Sequence, residues 1–183
     1  EFLCNIAQPD YGYITNFGKA HLEGFGGVEG VIKGKSEMYN YLQSNNKSVF
    51  VNLDDPIQVE KTKNITSITF GFNKENAFVN ILNVKANPFV EIDFLETHIK
   101  SNLIGLYNAN NINAAITIGK YFKIDDKSIK DAIERYSPDN NRSQILYKNT
   151  NEIILDAYNA NPSSMSVAID NFLQLNKSNK IVF

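Results

Sequence analysis

"YGYITNFGKAHLEGFGGVEGVIKGKSEMYNYLQSNNKSVFVNLDDP", residues 11–56, decides the fold. Its first six residues read as a short buried strand. Residues 28–43 then place apolar side chains at 28, 31, 32, 38, 39 and 42, close to helical spacing. "SVFVNLDDP" (48–56) is a second strand, closed by Asp54, Asp55 and Pro56, which signal a turn and a helix start. Strand, helix and strand in succession argue for an α/β layered domain, a mostly parallel sheet with flanking helices.

Working outward, "ITSITFGF" (65–72) reads as a third strand. The period then changes. "AFVNILNVKA" and "PFVEIDFLETHIKS" alternate apolar and polar residues, the pattern of an antiparallel hairpin or meander with one wet face. A small antiparallel appendage is therefore expected over about 65–101. Helices follow at 108–122 and 125–136, and two strands, "SQILYKN" and "EIILDAY", flank the turn "NTN". A last helix spans 162–175 with Pro162 near its first turn. "KIVF" (180–183) reads as a final strand. A domain boundary is expected near 148–154. The chain opens without an initiator methionine and closes on this apolar run, so it reads as a piece of a longer protein.

Composition narrows the class. The chain has 183 residues, 43% hydrophobic and 21% charged, which suits a globular domain with a sizeable core. A net charge of −2 gives no reason to expect nucleic acid or an anionic membrane as partner. No apolar run is long enough to span a bilayer. The single cysteine, Cys4, cannot form an internal disulfide, and a reducing cytoplasmic setting is the simpler expectation.

Three clusters carry residues suited to chemistry. His21 follows the first strand's carboxyl end, the edge where open α/β sheets bind ligands. A neutral imidazole there can bind a metal or orient a phosphate, and the same position suits an exposed loop histidine. Lys33 and Lys35 lie on the helix that follows. Most such lysines form a wet face, but Lys35, between Gly34 and Ser36 and before an apolar turn, can point inward. A buried amine has a lowered pKa, and as a carbamate it becomes an oxygen ligand suited to magnesium. In "GLYNANNINAA" (105–115), Asn108, Asn110 and Asn111 can read a base edge or cap the helix. In "DAYNANPSSM" (156–165), Asp156 ends a strand where a carboxylate can take ribose hydroxyls, and Tyr158, Asn159 and Asn161 follow in a loop that also fits an asparagine-capped turn. Arg142, in "DNNRSQ", can clamp a phosphate or lie on the surface.

Taken in order, these stretches resemble the Mur ligase family. "ITNFGKAHLEGFGGVEGVIKGKSEMY" (14–39), "GLYNANNINAA" and "DAYNANPSSM" carry the likeness, with Arg142 between the last two. Within the family they are most similar to the branch that joins D-alanyl-D-alanine to UDP-N-acetylmuramoyl-tripeptide in peptidoglycan synthesis. The resemblance implies a three-domain, ATP-dependent, cytoplasmic ligase, monomeric at full length, working through an acyl phosphate. Residues 1–150 would be the later part of the central ATPase domain, and 151–183 the start of the carboxyl-terminal domain. It implies that His21 and Lys35 hold Mg2+, that Asn108 and Asn111 contact adenine, and that Arg142 faces the nucleotide phosphates. It also implies that Asp156 takes the ribose and that Tyr158 and Asn159 line the interdomain loop. Nothing in the chain matches the phosphate-binding pattern G-x-x-x-x-G-K-[ST], so these residues alone are expected to be inactive. Folylpolyglutamate synthetase or another Mur-type amide ligase is the enzyme alternative, and a non-catalytic nucleotide-binding module is the alternative from another class.

Overall fold

A computed structural model describes residues 2–19, 22–139, 141–158 and 162–182, with nothing specified for the side chain of Ser163. In chain order the elements are α1 (Phe2–Ala7), β1 (Tyr11–Tyr13), α2 (Leu22–Phe25), α3 (Val28–Ser44), β2 (Ser48–Asn52), α4 (Pro56–Lys61), β3 (Thr66–Phe72) and β4 (Val79–Ile81). They continue with β5 (Asn83–Ala86), β6 (Phe89–Phe94), β7 (Thr97–Ile104), α5 (Asn108–Tyr121), α6 (Asp126–Arg135), β8 (Gln144–Lys148), β9 (Asn151–Leu155) and α7 (Pro162–Gln174).

Strands β1 to β4 form one sheet in sequence order, and every pairing is parallel. Parallel sheets are covered on both faces, and β2 is built for that. Val49 and Val51 point to one face and join Tyr39 and Leu42 of α3. Phe50 points to the other, where its ring meets Tyr121 of α5 edge-on at 5.6 Å. Leu42 is fully buried, so truncating it to alanine would cost about 2–5 kcal/mol. The turn into α3 depends on glycine. Gly27 has φ 110°, and a Cβ on Gly30 would stand 1.7 Å from the Phe25 carbonyl oxygen, so α2 can fold back on α3 only while residue 30 lacks a side chain.

On the opposite face, α5 buries Ala109, Ile112 and Ile116 against Phe70, Val79 and Ile81. The inner residues of the antiparallel sheet β5–β6–β7, Val90, Ile92, Phe94 and Ile99, belong to the same core. Helix α5 runs against the strands. Near its start Asn110 accepts from Asn52 at the carboxyl end of β2, and at its end Tyr121 stacks edge-on with Tyr11 at the amino end of β1.

Two expectations are corrected. The antiparallel block does not begin near 65: β3 and β4 belong to the parallel sheet, and antiparallel pairing runs from Asn83 to Ile104. Alternation misleads there because Val79 and Ile81 face the α5 core while Asn80 lies between them; its side-chain oxygen accepts from the Lys74 backbone N–H. The final strand at 180–183 is not formed over 180–182: Ile181 and Val182 are exposed and, among the described residues, no strand pairs with them. Phe183 lies outside the described residues. Strands β8 and β9, on either side of the boundary expected near 148–154, pair with each other as a hairpin.

Candidate nucleotide and metal site

The carboxyl ends of the parallel strands deliver polar groups to one edge. Pro56 opens α4, and Asp55 caps it by accepting from the N–H groups of Ile57 and Gln58. Fully buried Gln58 then ties two strand exits together. Its Nε2 donates to the Ile14 carbonyl at 3.0 Å, and its Oε1 accepts from the Asn52 N–H at 3.0 Å. Asn52, also buried, donates through Nδ2 to Asn110 of α5 at 3.3 Å and accepts from the Asp54 N–H at 3.0 Å.

Lys35 reaches the same edge. It is half-buried, whereas Lys33 is exposed, and its Nζ donates to the Asn16 carbonyl at 2.7 Å. Burial lowers its pKa from the usual lysine value, which favours the neutral amine. His21 and Asn159 lie outside the described residues. Among the described residues no group of three His, Cys, Asp or Glu side chains is arranged to hold a metal ion.

The start of α5 and the 141–158 segment form a second assembly. Gly105 turns the chain with φ 84°, and a Cβ there would lie 2.0 Å from Asn171 Nδ2 of α7 and 2.5 Å from the Tyr107 ring. Asn108 does not cap α5 with its side chain. Its Nδ2 donates back to the Ile104 carbonyl at 2.8 Å, and its Oδ1 accepts from Asn111 Nδ2 at 3.0 Å. The pair is internally braced, with Asn108 buried and Asn111 exposed. Asp156 accepts from the Ser143 N–H at 3.3 Å. The Arg142 guanidinium lies over the Tyr158 ring, 3.8 Å from its centroid, a cation–π contact. Tyr107 closes the assembly through a hydroxyl–hydroxyl hydrogen bond to Ser143.

Asn108 thus bonds to Asn111, Arg142 stacks on Tyr158 and Asp156 bonds to the Ser143 N–H, with the Tyr107–Ser143 pair connecting the start of α5 to the 141–158 segment, and Lys35 is held beyond the exit of β1. Asn52, Gln58, Tyr107 and Ser143 were not anticipated. Gln58 had a signal, since Asp55 followed three residues later by glutamine has the spacing of a capping box. The other three had none: each acts through a partner distant in sequence.

A family model for the Mur ligase middle domain matches residues 1–119. The chain is 27% identical over 172 residues to the UDP-N-acetylmuramoyl-tripeptide--D-alanyl-D-alanine ligase of Bacillus subtilis, covering 92% of this chain and 37% of the relative. It is 32% identical over 178 residues to the ligase of the same name from Buchnera aphidicola, covering 92% and 39%. A crystal structure of MurF from Acinetobacter baumannii has a TM-score of 0.80 at 26% identity, covering 96% of this chain and 40% of that one. MurF from Thermotoga maritima, solved in complex with ADP, has a TM-score of 0.76 at 24% identity, covering 94% and 41%, a likeness of fold. The chain therefore spans about two-fifths of the length of these relatives.

Proposed function

This chain belongs to the Mur ligase family, and from that premise we propose that it supplies nucleotide-handling and metal-handling parts of a cytoplasmic ligase that joins D-alanyl-D-alanine to UDP-N-acetylmuramoyl-tripeptide. The reading is supported by relatives of that name along 92% of the chain. The observation that carries it is the chain of contacts that ties the start of α5 to the 141–158 segment: Asn111 bonds to Asn108, the adjacent Tyr107 bonds to Ser143, the Ser143 N–H bonds to Asp156, and Arg142 lies over the Tyr158 ring.

In this reading ATP phosphorylates the terminal carboxylate of the tripeptide. The amine of D-alanyl-D-alanine attacks the acyl phosphate, forming an amide and releasing phosphate, with ADP left from the first step. Asn111 and Asn108 present amide groups to the adenine, in an orientation fixed by their mutual hydrogen bond. Asp156 takes the ribose hydroxyls. Arg142 moves off the Tyr158 ring onto the phosphates, where its planar fork matches their oxygens. The residues assigned to Mg2+ are His21 and Lys35, the latter as a carbamate. Lys35 fits that role in one respect, because its half-buried amine has a lowered pKa and accepts carbon dioxide more readily than a solvated ammonium. The cation would neutralise charge between the phosphate and the attacking carboxylate.

The test is ADP release by the full-length protein. Release that requires both the tripeptide and D-alanyl-D-alanine supports the proposal. Equal turnover with single amino acids in place of the dipeptide, or none with any acceptor, overturns it. Residues 1–183 alone should show no turnover, because they contain no G-x-x-x-x-G-K-[ST] loop to cradle the phosphates.

A further inference from the structure

We infer that Tyr107 and Ser143 form a latch that positions Arg142 and Asp156 against the start of α5. The inference rests on the nucleotide role proposed above. Arg142 sits between two residues, Asn141 and Ser143, whose φ angles of 57° and 51° place both in the left-handed region. Non-glycine residues adopt that conformation when surrounding contacts hold them there. Here the contacts come from two sides. The Asn141 carbonyl accepts from the N–H groups of Ala157 and Tyr158, at 2.9 and 3.2 Å, and the Ser143 N–H donates to Asp156. The 141–143 turn is thereby fastened to the exit of β9.

The remaining tie is the one to the adenine side. Ser143 is buried, and its Oγ meets the Tyr107 hydroxyl. Tyr107 directly precedes Asn108, whose side chain braces Asn111. Burial raises the Tyr107 pKa above the ordinary tyrosine value. Among the described residues this hydroxyl pair joins the segment proposed to hold adenine to the segment proposed to hold ribose and phosphates, across 36 residues of sequence. Neither hydroxyl need touch the nucleotide, so both act as positioning residues.

Tyr107→Phe and Ser143→Ala each remove the hydrogen bond while leaving the ring, the turn and the Ser143 N–H in place. In the full-length protein, each should raise KM for ATP about three- to ten-fold, the size of one neutral hydrogen bond. KM for D-alanyl-D-alanine should stay within about two-fold. The double variant should be no worse than either single one, because both remove the same interaction. A merely structural role would lower the melting temperature and the active fraction without moving the ATP KM, and that result overturns the inference. Single effects that multiply in the double variant also overturn it. Should the parent protein fail to turn over, the proposed function falls and takes the latch's role with it. Normal turnover with unchanged ATP KM in both variants removes the latch alone.

Discussion

Replacing Gln58 with leucine keeps nearly the same volume in a site with no solvent exposure, yet it removes three hydrogen bonds. The Ile14 carbonyl and the Asn52 N–H lose their side-chain partner, and Asp55 Oδ2 loses a donor at 3.1 Å. Asp55 is partly exposed, and its Oδ1 still accepts from Ile57 N and Gln58 N, so that loss is small. The two main-chain groups are different: Ile14 is 7% and Asn52 5% exposed. A buried polar group left unpaired costs about 1–3 kcal/mol, and leucine returns roughly 1 kcal/mol of apolar transfer. For the two main-chain groups together the net loss is about 1–5 kcal/mol. For a chain of this length, at about 3 °C per kcal/mol, that lowers Tm by roughly 3–15 °C. The chain contains no tryptophan, so urea unfolding is followed by far-UV circular dichroism, with the m-value checked for constancy. A loss below about 1 kcal/mol would refute the view that Gln58 satisfies two strand exits. The consequence reaches the site, because Asn16, whose carbonyl receives Lys35 Nζ, is two residues beyond Ile14.

Tyr13→Phe should be neutral or stabilising by about 1 kcal/mol at pH 7, because the Tyr13 hydroxyl is buried without a hydrogen-bond partner while its ring packs on Phe70 at 5.7 Å. Burial, and then the Asp55 carboxylate, push the Tyr13 hydroxyl up from 10.0 to about 12, so Tyr13 costs the parent chain stability between about pH 10 and 12, where the unfolded tyrosine ionises and the folded one does not; in pH-dependent urea unfolding the variant should show a shallower fall, keeping only the share of Tyr39 and Tyr107, whose hydroxyls burial also pushes up. Lys35 carries the opposite sign: its lowered pKa means the fold sheds the proton first, so stability rises as pH climbs from the folded pKa towards 10.5, and Lys35→Met should remove that rise. In the full-length protein Lys35→Ala should abolish turnover, with partial recovery on adding bicarbonate or a small carboxylate; undiminished activity would exclude the proposed metal role.

Much of the fold was legible because periodicity and punctuation agreed. Helix α3 announced itself through apolar spacing, and Val31, Tyr39 and Leu42 do face the core. Asp55 and Pro56 marked the start of α4 because the capping carboxylate accepts from the orphan N–H groups of Ile57 and Gln58, while a first-turn proline adds no N–H that would need a partner. The misplaced edge of the antiparallel block has a plain cause. Alternation tells which residues of a strand face inward, and it carries no information on whether the neighbouring strand runs parallel. Residues 79–81 alternate like the hairpin strands that follow, yet Val79 pairs with Phe70 of a strand running the same way.

The site was legible in a more limited sense, and the reason is chemical. Side chains that can touch a ligand are conspicuous in sequence, since asparagine, arginine and aspartate clustered at strand exits point either to a ligand or to a cap. The groups that orient them are inconspicuous. Tyr107 reads as an aromatic ahead of a helix, and Ser143 as one polar residue of a turn, until the fold places their hydroxyls together. Gln58 sits inside a short helix, where its spacing from Asp55 marks a helix start and leaves unread its bonds to two different strands. Orientation requires contacts between distant segments, and those contacts exist only once the sheet has gathered its carboxyl ends on one side. If that division is general within this chain, conservative hydroxyl and amide deletions at Tyr107, Ser143 and Gln58 should disturb ligand geometry or stability as strongly as changes to many residues that could touch the nucleotide.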